Sequence, residues 1–455
     1  MQKRKVDIAI IGAGTAGVTA FHALKAVGKE VVLIDRGPLG TTCARVGCMP
    51  SKAALHAGMR WATAKALPAG ATLSAQGPQA LWSHARQTRD ALASGAAERA
   101  RKAAGDSLIM AEARFVSPSA LEVDDLRIEA KAFIVATGSH PVVPKSLSGA
   151  ASHIVTTDTL FDQAELPRRL GILGLGAIGL ELGLALTRLD VQVVGADQQD
   201  TIGSIQDPEV QARALSRFGG ELPMWLGAPV EVTLADDKVR MRTDKHEALV
   251  DRLLVVTGRQ PNTDALDLAA AGIQLDKAGR PNIDPVTMRA SDAPIFFAGD
   301  VQPDRPLLHE AADEGQMAAQ AALASLRGEQ WQGALRRVPI TILFTDPDVC
   351  TVGMSYQAAM QREAVVGIAE GGGNGRSKIL GAQDNLLRLY VEPGTGVLLG
   401  ASMLLTQGEH LAHLLAWAIQ AKQAVNDLLA MPFYHPCIEE MLQSALKSAS
   451  QQLNP

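Results

Sequence analysis

The sequence has few cysteines and a small net charge, and each shortage excludes a class of protein. Only four cysteines occur among 455 residues, and Cys350 and Cys437 lie far from Cys43 and Cys48. This number is too small for a secreted disulfide framework, so a reducing compartment, the cytoplasm, is predicted. The net charge of −5 argues against a nucleic-acid partner or an anionic membrane partner.

Long apolar runs are also missing from the chain. No run reaches the roughly eighteen apolar residues of a transmembrane helix, so no membrane partner is predicted. The basic residues 3–5 precede an apolar run and imitate a secretory signal, but Asp7 interrupts that run. With 47% hydrophobic and 20% charged residues, the chain is typical of a soluble protein of two to four domains.

A glycine-rich fingerprint opens the chain. Gly12, Gly14 and Gly17 follow the apolar strand pattern of residues 6–11, and a helical stretch leads to a second strand that ends at Asp35. The glycines allow a tight turn and close approach of a pyrophosphate, and the acid binds ribose hydroxyls. This order of elements predicts a dinucleotide-binding unit.

The same fingerprint returns with identical spacing at Gly174, Gly176 and Gly179, followed by a strand that ends at Asp197. Glycine-rich turns of an ordinary α/β sheet are the alternative, but they would have to reproduce the spacing twice. A carboxylate at Asp197 repels a 2′-phosphate, and residues 198–200 supply no arginine to bind one. The second site is therefore predicted to take NAD rather than NADP.

A pair of cysteines adds redox chemistry to these two sites. Cys43 and Cys48 are separated by four residues, just before Pro50 and an Ala-rich, helix-like run. The N-terminal end of a helix favours a thiolate, and a short disulfide can close there. Such a disulfide needs a source of two electrons, which bound nucleotides can supply.

Together these motifs resemble the class I pyridine nucleotide–disulfide oxidoreductases, which are flavoenzymes. The cysteine segment matches the family at Thr42, Cys43, Gly47, Cys48, Pro50, Ser51 and Lys52. Thr41 replaces the family's second glycine, and Arg45 replaces its usual asparagine. Arg45 either lowers the pKa of a thiol or points to solvent.

The resemblance covers essentially the whole chain and implies a glutathione reductase-like α/β fold. It implies two Rossmann-like domains, for FAD and NAD, and a C-terminal α+β dimerisation domain that forms a homodimer. The implied boundaries are 1–145 with 265–333 for FAD, 146–264 for NAD, and 334–455 for the interface. We further predict helices within residues 58–105, and a flexible loop at 371–375 from which no helix begins.

Three strand-and-turn segments resemble recurrent flavoprotein segments: 131–144, 251–262 and 293–301. The resemblance places chain crossings between domains at the first two, with Thr137, Gly138 and Gly258 beside the cofactors. It places Asp300, in the third, at the ribityl chain of the flavin. Taken alone, Asp300 would be interpreted as a turn residue after a strand.

The resemblance also assigns roles along the electron path. Cys48 would lie against the flavin, and Cys43 would exchange with substrate sulfur. Lys52 would lie near the flavin and pair with Glu181 beneath the nicotinamide. A surface ion pair or an ordinary helix face is the alternative interpretation of these two residues. No metal site is predicted.

A candidate base lies near the C-terminus, where His435 and Glu440 match the family's HP-x3-E motif. Histidine holds a thiol proton near neutral pH, and a carboxylate on its other nitrogen raises its basicity. The resemblance implies that this dyad serves the disulfide of the opposite subunit. Alone, a histidine before proline would be interpreted as structural. Cys437 is either a small buried residue or an extra redox thiol.

The substrate signal is weaker. Residues 307–315, with His309, resemble dihydrolipoyl dehydrogenases more than glutathione or mercuric reductases, and the NAD preference agrees. The leading hypothesis is therefore oxidation of dihydrolipoamide carried on a partner protein. The alternatives are an NADH-dependent reductase of another small disulfide or a metal ion, and a flavin-bound interaction subunit with little turnover.

Overall fold

The computed structural model describes residues 2–67, 74, 76–277 and 279–453. Its first sheet has seven strands, six of which follow the spatial order Leu108–Met110, Val31–Asp35, Gln2–Ile11, Leu126–Val135, Ala120–Val123 and Ala113–Ser117. The seventh strand, Ile295–Phe297, comes from far along the chain and pairs in parallel with Leu126–Val135. Because Gln2–Ile11 has parallel neighbours on both sides, its second half is buried on both faces, which explains the apolar run.

The second large sheet has five parallel strands and carries the second glycine fingerprint. Its spatial order is Met224–Leu226, Gln192–Asp197, Arg169–Leu173, Arg252–Val255 and Ile154–Val155. A small antiparallel sheet, formed by Glu231–Ala235, Lys238–Arg242 and Glu247–Val250, lies along the chain between the strands Met224–Leu226 and Arg252–Val255. Two short antiparallel strands, Ser139–Pro141 and Arg259–Pro261, pair where the chain passes between the two large sheets.

The C-terminal part contains a five-stranded antiparallel sheet in the order Ile340–Leu343, Asp348–Gly353, Leu398–Leu405, Leu386–Val391 and Val365–Glu370. The predicted α/β architecture, with two parallel sheets and a separate C-terminal sheet, is confirmed. The return of Ile295–Phe297 to the first sheet agrees with a discontinuous first domain. The domain boundaries themselves stay a prediction.

The α-helices of the described residues are Thr15–Ala26, Thr42–Arg45, Cys48–Lys65, Gly77–Ala104, Thr157–Leu160, Ala177–Arg188, Pro208–Gly219, Leu308–Leu326, Tyr356–Gln361, Gly375–Ile379, Gly408–Gln420, Val425–Leu429 and Glu440–Leu453. Short 3₁₀ segments occupy Gly105–Ser107, Lys145–His153, Asp264–Leu266 and Gly371–Gly373. The helices predicted within residues 58–105 are present. No helix of the described residues is long and apolar enough to span a membrane.

The prediction of a flexible loop at 371–375 was wrong in one respect. A short helix, Gly375–Ile379, begins there, and the Asn374 side chain caps it by accepting a hydrogen bond from Ser377 N at 2.8 Å. The Asn374 amide also donates to the Cys437 carbonyl at 3.2 Å. These contacts outweigh the low helix propensity of the glycines.

Two contacts between elements fix the positions of the first glycine loop and of the second domain. Helix Leu308–Leu326 crosses close to helix Thr15–Ala26, where a Cβ at Gly315 would fall 2.3 Å from the Ala16 carbonyl oxygen. Buried Asp207 caps the helix Pro208–Gly219 and also accepts hydrogen bonds from Arg388 Nε at 2.8 Å and Tyr390 Oη at 2.7 Å. The second domain is thereby joined to the C-terminal sheet.

Candidate active site

The first glycine loop is shaped for close contact with a ligand. Gly12 has φ +105°, and a Cβ there would lie 2.2 Å from the Ala136 carbonyl oxygen. A Cβ at Gly17 would lie 1.9 Å from the Gly12 carbonyl oxygen, so both positions require glycine. At Gly14, by contrast, no protein atom lies within 4 Å of an added Cβ. The space over Gly14 is open toward the N-terminus of helix Thr15–Ala26, where a phosphate fits.

Asp35 is held in place at the edge of this space. Its carboxylate accepts hydrogen bonds from Ala13 N at 2.6 Å and Gly37 N at 2.7 Å. A cavity of about 530 Å³ opens here, which is large enough for much of a nucleotide. The predicted cofactor residues that line it are Gly12, Gly14, Asp35, Thr42, Thr137 and Gly138.

The hydroxyl of Thr137 is a further feature that suits a bound ligand. Thr137 Oγ1 is buried and has no hydrogen-bond partner within the part of the chain that the structure describes. A buried hydroxyl without a partner is costly, so this atom suits a polar group of a bound cofactor. The open space at Gly14, the fixed Asp35 carboxylate and this hydroxyl together fit FAD.

The second glycine loop repeats this local geometry. A Cβ at Gly179 would lie 1.9 Å from the Gly174 carbonyl oxygen, whereas at Gly176 the nearest atom is 3.8 Å away. Asp197 accepts hydrogen bonds from Leu175 N at 2.6 Å and Gln199 N at 2.9 Å. The two loops thus use the same backbone-to-carboxylate contacts, as expected for two dinucleotide sites.

The redox cysteines lie on two consecutive helices beside the first cavity. Cys43 belongs to Thr42–Arg45, and Cys48 begins Cys48–Lys65. Thr41 has φ +59° and ψ +147°, a backbone conformation that favours glycine, and its Oγ1 accepts a hydrogen bond from Ala44 N at 3.1 Å. Arg45 Nη1 donates to the Pro38 carbonyl at 3.4 Å, which directs its charge along this loop.

The pKa values of the two thiols are shifted in opposite directions. A hydrogen bond from Cys43, helped by the charge of Lys52, lowers the pKa of Cys48 to about 7 against the effect of burial. The same hydrogen bond, together with burial, raises the pKa of Cys43 well above its usual value. The carboxylate of Asp300 acts on Cys48 in the opposite direction from Lys52. In the dithiol state, these shifts favour Cys48 as the thiolate and Cys43 as its proton donor.

Lys52 forms an ion pair with the buried Glu181. Lys52 Nζ lies 2.8 Å and 3.0 Å from the two carboxylate oxygens. Glu181 Oε1 also accepts a hydrogen bond from Phe344 N at 2.8 Å, and Lys52 Nζ stands 4.8 Å from the centre of the Phe344 ring. Residues of all three predicted domains meet here. The alternative interpretation as a surface ion pair is excluded, because Glu181 is only 4% exposed.

Asp300 lies just after the strand Ile295–Phe297 and is half-buried. Burial raises the pKa of its carboxyl group, while the charge of Arg259 and a hydrogen bond from Ser139 lower it. Arg259 in turn donates to Ser139 Oγ at 2.9 Å and to the Ser139 carbonyl at 2.7 Å. Gly138 and Gly258 lie near this cluster, in the two segments where the chain crosses between domains. The backbone carbonyl of each accepts a hydrogen bond from the other segment.

His435 and Glu440 form a pair of their own. His435 Nδ1 lies 3.0 Å from Glu440 Oε1, and the His435 side chain is 78% exposed. Among the described residues, no hydrogen bond or ion pair joins either of them to Cys43 within one chain. His309, also exposed, is the second residue of the helix Leu308–Leu326.

Sequence reasoning missed Phe344, Ser139 and Arg259. Phe344 lies near the start of the predicted interface domain, and its contact with Glu181 spans 163 residues along the chain. Arg259 and Ser139 lie in the two crossing segments that the sequence did single out. Their polar side chains, each four residues after the end of a buried strand, were the available signal.

A dithiol pair beside a cavity that fits FAD, with a second dinucleotide loop in the same chain, defines a flavin-dependent dithiol–disulfide oxidoreductase. Comparison with known proteins gives the family. The Pyridine nucleotide-disulphide oxidoreductase family matches residues 6–324, and its dimerisation domain matches residues 339–446. The chain belongs to this family. The family uses FAD and NAD(P), and its dimerisation domain supports a homodimer.

Two curated relatives and one solved structure illustrate this likeness. The dihydrolipoyl dehydrogenase of Halobacterium salinarum is 29% identical over 97% of this chain and 96% of that protein. The mercuric reductase of Lysinibacillus sphaericus is 32% identical over 78% of this chain and 66% of that protein. A HOCl-induced flavoprotein disulfide reductase from Escherichia coli, in a Cu(II) complex, is 22% identical, with a TM-score of 0.84 over 98% of this chain and 99% of that chain. The last likeness concerns the fold.

Proposed function

We propose that the protein is a dihydrolipoyl dehydrogenase that oxidises dihydrolipoamide on a partner protein with NAD⁺. The observation that carries the proposal is the Cys43–Cys48 pair beside Lys52, in a chain that has a second dinucleotide loop. The end-to-end similarity to a dihydrolipoyl dehydrogenase supports this substrate. The few cysteines further support a cytoplasmic location.

In the first half-reaction the disulfide of the enzyme is reduced. A thiolate of dihydrolipoamide attacks Cys43 Sγ, and the Cys43–Cys48 bond breaks with Cys48 leaving as a thiolate. The second lipoyl sulfur then displaces Cys43, which closes the lipoyl disulfide. Two electrons pass to the enzyme in this step, and two protons leave the substrate thiols. Cys48 suits the leaving position because its pKa is the lower of the two.

One of these protons is assigned to His435. Its ring nitrogen Nδ1 is held by Glu440, which leaves Nε2 free to accept a thiol proton. The match of this pair to the family's HP-x3-E motif, together with the dimerisation domain, supports action on the disulfide of the other subunit of the homodimer. His309, exposed at the start of its helix, is also proposed to contact the cofactor.

In the second half-reaction the electrons leave the dithiol for NAD⁺. FAD, when bound, would supply the two-electron relay between the dithiol and NAD⁺. Lys52, paired with Glu181, places a positive charge beside Cys48 and the first cavity. Asp197 favours NAD⁺, because a carboxylate accepts bonds from ribose hydroxyls and repels a 2′-phosphate.

The test is a spectrophotometric assay of the purified yellow protein with NAD⁺ and dihydrolipoamide. Rapid NADH formation is expected, with NADP⁺ failing to substitute. Cys43→Ser should abolish turnover, whereas the matched control Cys350→Ala, at a buried thiol of the C-terminal sheet, should retain it. Flavin reduction by NADH without any lipoamide turnover would refute the proposed substrate.

A second candidate function is an NADH-dependent reductase of another small disulfide or a metal ion. The observation that favours it is the mercuric reductase relative, together with the Cys437 thiol two residues from His435. Cys437 Sγ contacts the Tyr434 carbonyl at 2.9 Å, and burial raises its pKa, so it is not primed as a thiolate. Parallel assays with NADH plus glutathione disulfide, and with NADH plus Hg²⁺, would identify this activity.

A further inference from the structure

The segment 343–346 of the C-terminal part is fixed to helix Ala177–Arg188 at two points. Phe344 N donates to Glu181 Oε1 at 2.8 Å, and the Arg188 guanidinium donates to the Asp346 carbonyl at 3.3 Å. Glu181 and Arg188 are seven residues apart and therefore lie on one face of the helix. Leu343 is buried in the same core as this helix. The Phe344 ring is thus attached to a rigid backbone.

The ammonium of Lys52 is less firmly held than its partners. It contacts Glu181 and lies 3.4 Å from Ser51 Oγ, yet the Lys52 side chain remains 33% exposed. An ion pair with a two-oxygen carboxylate leaves the ammonium free to swing around it. The ring of Phe344 has its centre 4.8 Å from Lys52 Nζ and adds a cation–π contact to those with Glu181 and Ser51.

We propose that Phe344 is a positioning residue, which holds the Lys52 ammonium within electrostatic reach of Cys48 and so lets the C-terminal domain set the charge around the redox thiol. Lys52 lies four residues after Cys48 on one helix, so the two side chains are neighbours. The proposal rests on the proposed function of Cys48 and adds a residue from a different domain to the site. Phe344 acts through Lys52 and need not touch substrate.

The groups that act on Cys48 come from three elements. Cys43 donates a hydrogen bond from the preceding helix, Lys52 acts from the same helix, and Asp300 acts from the turn after Ile295–Phe297. Among the described residues, Phe344 has no hydrogen bond or ring contact with Cys43 or Asp300. A change at Phe344 therefore reaches Cys48 through Lys52.

The experiment follows the ionisation of Cys48 in the Cys43→Ser protein, where serine keeps a hydroxyl donor. The rate of Cys48 alkylation by iodoacetamide is measured against pH, on the Cys48 peptide by mass spectrometry. Phe344→Leu should raise the apparent pKa by about half a unit, because moving a unit charge from about 6 Å to about 8 Å away at an effective dielectric of about 20 weakens its interaction by that much. Phe344→Tyr keeps the ring and should keep the original pKa.

Two controls separate positioning from general loosening of the fold. Tyr356→Leu removes another half-buried aromatic of the C-terminal domain, which contacts Tyr390 at 6.0 Å between ring centres, and should leave the pKa unchanged. In a Lys52→Met background, Phe344→Leu should add no further shift. Phe344→Met, of similar volume and without a ring, replaces the leucine variant if that variant does not fold.

An unchanged Cys48 pKa in Phe344→Leu, or a shift that persists without Lys52, would overturn the proposal. The titration needs no lipoyl substrate. Failure of dihydrolipoamide turnover would therefore refute the proposed function and leave the result for Phe344 standing.

Discussion

Replacing Thr41 with glycine should stabilise the segment that carries Cys43. Thr41 has φ +59° and ψ +147°, and a non-glycine residue in such a region stores about 1–3 kcal/mol of strain. The β-branched side chain places this residue among the more strongly strained cases. Glycine adopts the same backbone without that strain, so the substitution releases it.

Two costs oppose this gain. The Thr41 hydroxyl caps the helix Thr42–Arg45 through Ala44 N, and exchanging such a cap for glycine costs about 0.3 kcal/mol. The greater freedom of glycine in the unfolded chain costs about 0.5–1 kcal/mol. The balance is a net stabilisation of about 1 kcal/mol. Thr41→Ala keeps the strain and loses the cap, so it should destabilise by about 1 kcal/mol.

The assay compares Thr41→Gly, Thr41→Ala and the original protein at equal protein and FAD concentrations. Because a chain of several domains does not unfold in one step, we would follow local opening by proteolysis near the cysteine segment and the temperature of flavin release. Resistance should fall in the order glycine, threonine, alanine. A glycine variant no more resistant than the alanine variant would refute the strain argument.

Three further predictions concern the cofactor loop, the thiolate and the base. Gly14→Ala should leave the fold intact but lower the flavin-to-protein absorbance ratio. Gly17→Ala should also lower the melting temperature, since its Cβ would lie 1.9 Å from the Gly12 carbonyl oxygen. Equal melting temperatures for the two variants would contradict this prediction. In the reduced protein, the long-wavelength thiolate–flavin absorption should grow as the pH rises through about 7. The pKa of Cys48 is lowered to about 7, so Cys48 is a thiolate above that pH and a protonated thiol below it. An absorption that does not change with pH would count against Cys48. His435→Gln should cut dihydrolipoamide turnover by about a hundredfold, as loss of a positioned base implies, while flavin reduction by NADH stays unchanged; an equal loss in both would reject the role of base.

The features that the sequence alone determined are local ones. Each glycine fingerprint places its turn, its helix and its acid within one short unit, so the contact from Ala13 N to Asp35 spans only 22 residues. The cysteine pair and the HP-x3-E motif are equally short. The α/β class followed from the same units, because a strand that enters such a turn is central in a parallel sheet.

Tertiary structure decided what no short pattern encodes. The Lys52–Glu181 pair joins residues 129 positions apart, and the Phe344 contact with Glu181 spans 163. The helix that begins at Gly375 depends in part on the contact from Asn374 to Cys437, 63 positions away, which only the folded chain brings near. Burial and the charge of Asp300, which raise the pKa of Cys48, arise only when distant segments of the chain pack together.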